Sequence, residues 1–138
     1  MGRFLQNDFQ VEQLDKGEIV DGKPLTASSG IYKTLEDLTY IANNGTSITV
    51  PVGYITDGYS KPQFTEWLVG GRFEDDIRPS TLHDYLCQYH GFCQDKTLVP
   101  LGFNKVNDLF LEAMLAVGIN PLKAKIMRFA VNFNPSKW

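Results

Sequence analysis

The spacing of the apolar residues changes near residue 60, and this change constrains the fold more than any other feature of the sequence. Before it, apolar and polar residues alternate with a period of two, as in half-buried β-strands. Asn43-Asn44-Gly45 predicts a hairpin turn, because Asn and Gly both tolerate a positive φ. We therefore predict an antiparallel sheet of two to four strands within residues 27–56. The alternating runs, rich in β-branched and aromatic residues, lie at 31–34, 37–41 and 47–52.

Beyond this point the apolar residues recur at helical spacing, which predicts three helices near residues 80–90, 105–117 and 121–132. Asn104 is expected to cap the second helix, and Pro121 stands at the first helical position of the third. The two halves together predict an α+β fold, in which a small N-terminal antiparallel sheet packs on a C-terminal three-helix bundle formed within residues 79–133.

The length of 138 residues fits a single domain with its own core. Residues 1–26 are polar and rich in turn signals, so we expect a loosely structured N-terminal arm with one short strand. The sequence lacks a run of about 20 apolar residues and a signal peptide, which predicts synthesis in a cytoplasm. A net charge of −3 offers no general attraction for nucleic acid, and none is expected as a partner.

The residues most suited to chemistry are His83 and Asp84 on the first predicted helix and Asp108 on the second. If these helices pack antiparallel, Asp108 comes level with His83 and can accept a hydrogen bond from its ring, at about 2.7–3.2 Å. That bond would fix the imidazole tautomer and leave the other ring nitrogen as a base acting on water. Neighbouring helical residues point about 100° apart, so Asp84 would face a different wall of the same cleft.

Asp84 is also a candidate calcium ligand, together with Asp57 and Gly58. The loop Asp57-Gly58-Tyr59-Ser60 offers a carboxylate and backbone carbonyls, and an oxygen-rich shell suits Ca²⁺. The same residues have a purely structural interpretation. A His-Asp pair in the first turn of a helix can satisfy local hydrogen bonds, and Asp57 and Ser60 can cap a turn.

Two further patterns have simpler explanations than a binding site. His83, Cys87, His90 and Cys93 are residue types that zinc prefers, but their spacing does not match a zinc finger. We therefore predict two free thiols and no zinc. A set of basic residues near the C-terminus could contact lipid, although a solvated helix face explains it better. These basic residues are Lys123, Lys125, Arg128 and Lys137.

Three motifs in this order resemble the phage and prophage domain-of-unknown-function family 1353, over residues 30–133. The motifs are Val50-Pro51-Val52-Gly53-Tyr54-Ile55-Thr56-Asp57-Gly58-Tyr59-Ser60-Lys61-Pro62, Leu82-His83-Asp84-Tyr85-Leu86 and Asn107-Asp108-Leu109-Phe110-Leu111-Glu112-Ala113-Met114. The resemblance implies a bacteriophage or prophage source.

A more distant similarity links the chain to the secreted phospholipases A2 of microbes. They carry an Asp-Gly loop, a His-Asp pair on one helix, and an Asp-x-x-Phe motif on the antiparallel helix. This resemblance implies that His83 is the base on water and Asp108 its orienting partner. It further implies that Asp57, Gly58 and Asp84 bind Ca²⁺.

Two functions therefore remain open from the sequence. The first is a small non-enzymatic phage protein, associated with the virion or tail or acting on the host, whose partners are other phage proteins or a host protein. It would be made in the host cytoplasm and incorporated in the virion. The second is a Ca²⁺-dependent hydrolase of an ester, with a phospholipid as the candidate substrate. Both hypotheses depend on the same residues. The choice between them stays open because a fold alone does not establish catalysis.

Overall fold

The protein is described by a computed structural model over residues 2–6, 9–13, 19–20, 23–24, 32–56, 78–94 and 96–132. Within these ranges the chain forms an α+β fold, as predicted. The strands are β1 (Arg3–Phe4), β2 (Val11–Gln13), β3 (Ile19–Val20), β4 (Lys23–Pro24), β5 (Tyr32–Thr34), β6 (Leu38–Ile41), β7 (Ser47–Val50), β8 (Ile55–Thr56), β9 (Gly91–Gln94) and β10 (Thr97–Pro100). The helices are α1 (Arg78–Tyr89), α2 (Phe103–Ala116) and α3 (Pro121–Asn132).

All strand pairs described are antiparallel. They form two three-stranded sheets, in the orders β1-β6-β7 and β2-β5-β8, and two hairpins, β3-β4 and β9-β10. The predicted turn at Asn43-Asn44-Gly45 joins β6 to β7, with Ile41 opposite Ser47. Gly45 has a φ of 87°, which is the left-handed conformation that the sequence predicted at this turn.

The N-terminal arm holds more regular structure than the sequence predicted. Instead of one short strand, residues 1–26 contribute β1 to β4. β1 pairs with β6, and β2 pairs with β5, so this segment extends both sheets. These strands have only two or three residues each, which is too short for an alternating pattern to stand out in the sequence.

The helices agree with the predicted positions to within about two residues, the usual uncertainty of helix ends. α3 begins at Pro121 as predicted, and Oδ1 of Asn120 caps it by accepting the backbone N–H of Leu122 at 2.9 Å. The predicted cap of α2 was wrong. The N-cap is Gly102, which makes no side-chain hydrogen bond, so Asn104 already lies inside the helix.

The hairpin of β9 and β10 was not predicted. It follows directly on α1, and its first residue, Gly91, has a φ of 152°. A side chain on Gly91 would overlap the carbonyl oxygen of Val99 on the opposite strand. The close approach of the two strands therefore requires glycine at the point where the chain leaves α1.

One hydrophobic core joins the sheet of β6 and β7 to α1 and α2. Alternate residues of the two strands share a buried face, because successive side chains on a strand point to opposite sides. The fully buried residues of this core include Leu38, Tyr40, Ile48, Val50, Leu82, Leu86 and Val106. A second, smaller cluster lies between α2 and α3 and consists of Phe110, Met114, Ala124 and Met127.

A polar contact ties the sheet to α2. The Tyr40 hydroxyl donates to a carboxylate oxygen of Glu112, which also accepts the backbone N–H of Asn43 at 3.3 Å. Burial raises the pKa of Tyr40 well above its usual range, and the hydrogen bond to Glu112 and the negative charge of Glu112 raise it further.

None of the helices in the described part of the chain combines the length and the apolar character that crossing a membrane requires.

Candidate functional site

His83 lies on α1 and faces α2. Its Nε2 atom is 2.8 Å from Oδ1 of Asn107. Its ring also stacks on Phe110, with 4.4 Å between the ring centroids and an angle of 32° between the planes. The amide and the aromatic ring together define both the direction and the plane of the imidazole. His83 therefore contacts the second predicted helix, as expected, but its partners are Asn107 and Phe110 and not Asp108.

Asn107 is completely buried, with 0% of its surface exposed. Its Oδ1 accepts from His83, whereas its Nδ2 has no hydrogen-bond partner among the described residues. Leaving such a donor unpaired costs about 1–3 kcal/mol. Buried unpaired donors are uncommon in proteins, so the one on Asn107 requires an explanation.

The predicted hydrogen bond between His83 and Asp108 was wrong. The side chain of Asp108 is 61% exposed and forms an ion pair with Arg128 of α3, whose Nη2 lies 2.7 Å from Oδ1. The Nε of the same arginine donates to the same oxygen at 2.9 Å. Residues 107 and 108 point about 100° apart on the helix, so only one of them can face α1. That residue is Asn107.

Cys87 lies one helical turn after His83, on the same face of α1. Its Sγ is 3.6 Å from Nε2 and 3.9 Å from Nδ1 of the imidazole. The side chain is buried, with 3% of its surface exposed. Cys87, His83 and Asn107 thus form a contiguous group of a thiol, an imidazole and an amide at the seam between α1 and α2, which we call the seam triad.

Asp84 lies on a different side of α1 from the seam triad. Its Oδ2 is 3.4 Å from the hydroxyl of Tyr54, which donates a shorter hydrogen bond of 2.8 Å to Oε1 of Gln88. Asp57 and Gly58, the other two predicted calcium ligands, lie outside the described residues. Asp84 alone does not make a calcium shell, which needs six to eight oxygen ligands.

The described residues contain no group of three or more His, Cys, Asp or Glu side chains that could hold a metal ion. Of the four residues considered for zinc, His83 and Cys87 lie in contact. Cys87 is buried and Cys93 is exposed on β9, and both are free thiols.

A cluster of three tyrosines adjoins Asp84 through Tyr54. Tyr54 meets Tyr85 edge to face at a centroid distance of 5.4 Å, and Tyr85 contacts Tyr89 at 5.0 Å. Burial raises the pKa of Tyr85, and the nearby Cys93 and Tyr89 raise it further. Tyr85 is consequently neutral at ordinary pH, and these ring contacts hold α1 against the loop that precedes β8.

The residue that the sequence interpretation missed is Asn107, although a signal for it existed. Asn107 precedes Phe110 by three residues and Met114 by seven, so it shares the apolar face of α2. Asp108 precedes Glu112 by four residues and lies on the more polar side. Helical periodicity would have favoured the asparagine as the residue that faces α1.

Comparison with known proteins places residues 32–131 within a family model described as "Protein of unknown function (DUF1353)". This match covers most of the chain, including every residue of the seam triad. No solved structure matches the chain.

Two curated relatives come from Sinorhizobium fredii (strain NBRC 101917 / NGR234). "Uncharacterized protein y4jT" is 29% identical over 123 residues, which are 88% of this chain and 33% of that protein. "Uncharacterized protein y4iH" is 30% identical over 116 residues, which are 83% of this chain and 44% of that protein. The chain thus spans less than half the length of these two relatives.

Proposed function

The chain belongs to the DUF1353 family, and from the geometry between α1 and α2 we propose that it hydrolyses an ester, with His83 as the group that accepts and returns a proton. The observation that carries this proposal is the contact of 2.8 Å between Nε2 of His83 and Oδ1 of Asn107. An amide oxygen only accepts hydrogen bonds, so the ring presents a proton on Nε2 and keeps the lone pair on Nδ1.

A histidine held in this tautomer is suited to general base catalysis. Nδ1 takes a proton from the attacking group as that group adds to the acyl carbon, and then gives the proton to the departing alcohol. Such proton transfer typically contributes about 10²–10⁴-fold to a rate. Asn107 and Phe110 are positioning residues in this scheme, because they contact the imidazole and fix its direction and plane.

Calcium was predicted as a cofactor of this reaction. Of its predicted ligands, only Asp84 is described, and its neighbour there is the hydroxyl of Tyr54. We assign no step to the ion. Measuring hydrolysis in the presence of CaCl₂ and of the chelator EGTA tests whether the reaction depends on it.

The second candidate is the non-enzymatic role in a phage or prophage, in which the seam triad only joins two helices. The complete burial of Asn107 favours this alternative, since a buried amide that bonds a histidine also strengthens helix packing. The phage source and the likeness to phospholipases A2 belong to the proposal, and the two relatives compared above are bacterial proteins.

The two functions are separated by ester hydrolysis with a matched pair of histidine variants. The substrates are p-nitrophenyl acetate and phosphatidylcholine vesicles, with and without CaCl₂. His83→Asn should lower the rate at least about 100-fold. His90→Asn is the control, because His90 has a φ of 54° and Asn tolerates that conformation. Equal rates in the two variants, or no hydrolysis by the unaltered chain, would favour the structural role.

A further inference from the structure

We propose that the outward face of α3 binds the surface of an anionic membrane, with the helix lying along the surface and not crossing the bilayer. This face consists of Leu122, Lys123, Lys125, Ile126 and Phe129. It contains no residue of the seam triad, so the inference is independent of the proposed hydrolysis. The ligand is the lipid surface itself, whose acyl chains contact the apolar side chains and whose phosphate groups contact the lysines.

α3 carries apolar residues on two opposite sides. Ala124 and Met127 are buried and pack against α2. Leu122 and Phe129 lie about 150° away around the helix, and 68% and 61% of their surfaces are exposed. These are the two highest exposed fractions among the large hydrophobic residues of the described ranges. Packing on α2 therefore uses one apolar side of the helix and leaves the other in solvent.

The exposed apolar residues of α3 form one continuous stripe. Leu122, Ile126 and Phe129 follow each other at intervals of four and three residues, which is the spacing of side chains that touch along a helix. Ile126 is half-buried and borders on the packed side. Single exposed apolar residues are common on protein surfaces, but a helix that is apolar on opposite sides usually has both sides covered. The stripe therefore predicts a second contact surface for α3.

The charges beside the stripe indicate what covers it. α3 contains three basic residues and no acidic residue. Arg128 pairs with Asp108, whereas Lys123 and Lys125 are exposed. The two lysines follow Leu122 by one and three residues, so they lie on either side of the stripe, about 100° and 60° from Leu122. Lysines in this position extend their ammonium groups to lipid phosphates while their aliphatic stems stay beside the apolar side chains.

Charge also argues against a second copy of the chain as the partner of this face. Two α3 helices in contact would bring lysines against lysines, since the helix has no acidic residue. From the sequence alone, a solvated helix face explained the basic residues. The exposure of Leu122 and Phe129 beside them is the observation that favours a lipid surface instead. With a net charge of −3, the chain has no general attraction for anionic lipid, so any binding must come from a local face.

The proposal is tested by flotation of the full chain with vesicles in a density gradient. Vesicles of phosphatidylcholine with about one third phosphatidylglycerol are compared with vesicles of phosphatidylcholine alone. The chain should bind the anionic vesicles at least about 10-fold more tightly than the neutral ones. Raising NaCl from about 0.1 M to about 0.5 M should weaken this binding, because salt screens the lysines. Absence of binding, or equal binding to both vesicles, would overturn the proposal.

Matched variants locate the binding face. Lys123→Gln/Lys125→Gln should weaken binding to the anionic vesicles at least about 10-fold, and Leu122→Gln at least about fivefold. Lys105→Gln on α2 and Leu98→Gln on β10 are the controls, because they change an exposed lysine and a half-exposed leucine elsewhere. They should alter binding by less than about twofold, and all four variants should keep the melting temperature of the unaltered chain. Equal losses in the controls and in the α3 variants would contradict the proposal.

Sedimentation equilibrium without vesicles tests the alternative of a second copy. The unaltered chain and Leu122→Gln should have the same mass in solution, because the stripe faces lipid and not another protein chain. A dimer that is lost in Leu122→Gln would show that the stripe joins two copies, and the proposal would then be wrong.

Discussion

His83 and Asn107 meet across the seam between α1 and α2, with 2.8 Å between Nε2 and Oδ1. The next residue along α2, Asp108, points about 100° away around the helix and pairs with Arg128 at 2.7 Å. The partner of the histidine is therefore a neutral amide and not a carboxylate. An amide fixes the tautomer of the ring without adding a negative charge, so it stabilises an imidazolium less than a carboxylate would.

The surface position of Asp108 predicts a small effect on stability. Asp108→Asn should change the free energy of unfolding by less than about 1 kcal/mol, because exposed ion pairs contribute little. His83→Asn should cost about 1–3 kcal/mol, since it leaves the buried Asn107 without its partner. Urea denaturation of both variants checks this. A larger loss in Asp108→Asn than in His83→Asn would mean that the carboxylate, and not the amide, supports the seam.

The sequence predicted the elements that depend on a repeating pattern. Alternation gave β6 and β7 and their turn at Gly45, and helical spacing placed α1, α2 and α3. It predicted only one short strand where β1 to β4 lie, because strands of two or three residues carry no measurable period. The hairpin of β9 and β10 was also missed, although Gly91 and the polar pair Asp95-Lys96 could have indicated it.

The partner of His83 was mispredicted for a different reason. The choice between residues 107 and 108 depends on how α2 is rotated about its own axis. Chemistry favoured the carboxylate of Asp108, whereas packing favours the residue on the face of Phe110 and Met114. The rotation of a helix about its axis is set by the burial of its apolar face. This burial stabilises the fold by more free energy than one exposed hydrogen bond does. Helical periodicity is therefore the better guide to which residue faces His83.

The Tyr40–Glu112 contact predicts a loss of stability in alkali. The folded chain keeps the phenol neutral, because burial and Glu112 raise the pKa of Tyr40 above the ordinary value of 10.0, at which the unfolded chain releases the proton. The stability from this group is thus complete below that pH and is lost as the pH rises above it. Urea denaturation between about pH 7 and pH 11 should show a steeper decline for the unaltered chain than for Tyr40→Phe. Parallel curves would show that Tyr40 ionises equally in both states.

Two glycines should differ sharply in how well they tolerate alanine. They are Gly91, the first residue of β9, and Gly102, the N-cap of α2. Gly91→Ala should lower the free energy of unfolding by at least about 2 kcal/mol, because a Cβ at a φ of 152° meets the backbone of Val99. Gly102→Ala is the matched control. No atom of the described residues lies within 4 Å of a Cβ built there, so the cost is only the weaker preference for Ala at an N-cap, about 0.5–1 kcal/mol. Similar melting temperatures for the two variants would contradict this account of the hairpin.

The measurement that tests the central claim most directly is kcat/KM for p-nitrophenyl acetate in Asn107→Ala and Asp108→Ala, assayed well below the melting temperature of each variant. If Asn107 positions His83 for proton transfer, Asn107→Ala should lower kcat/KM at least about 10-fold and shift its pH profile, because the ring loses its fixed tautomer. Asp108→Ala should change kcat/KM by less than about twofold, since its carboxylate faces Arg128 and solvent. A loss in Asp108→Ala with normal turnover in Asn107→Ala would contradict the account, as would an unaltered chain that hydrolyses no ester.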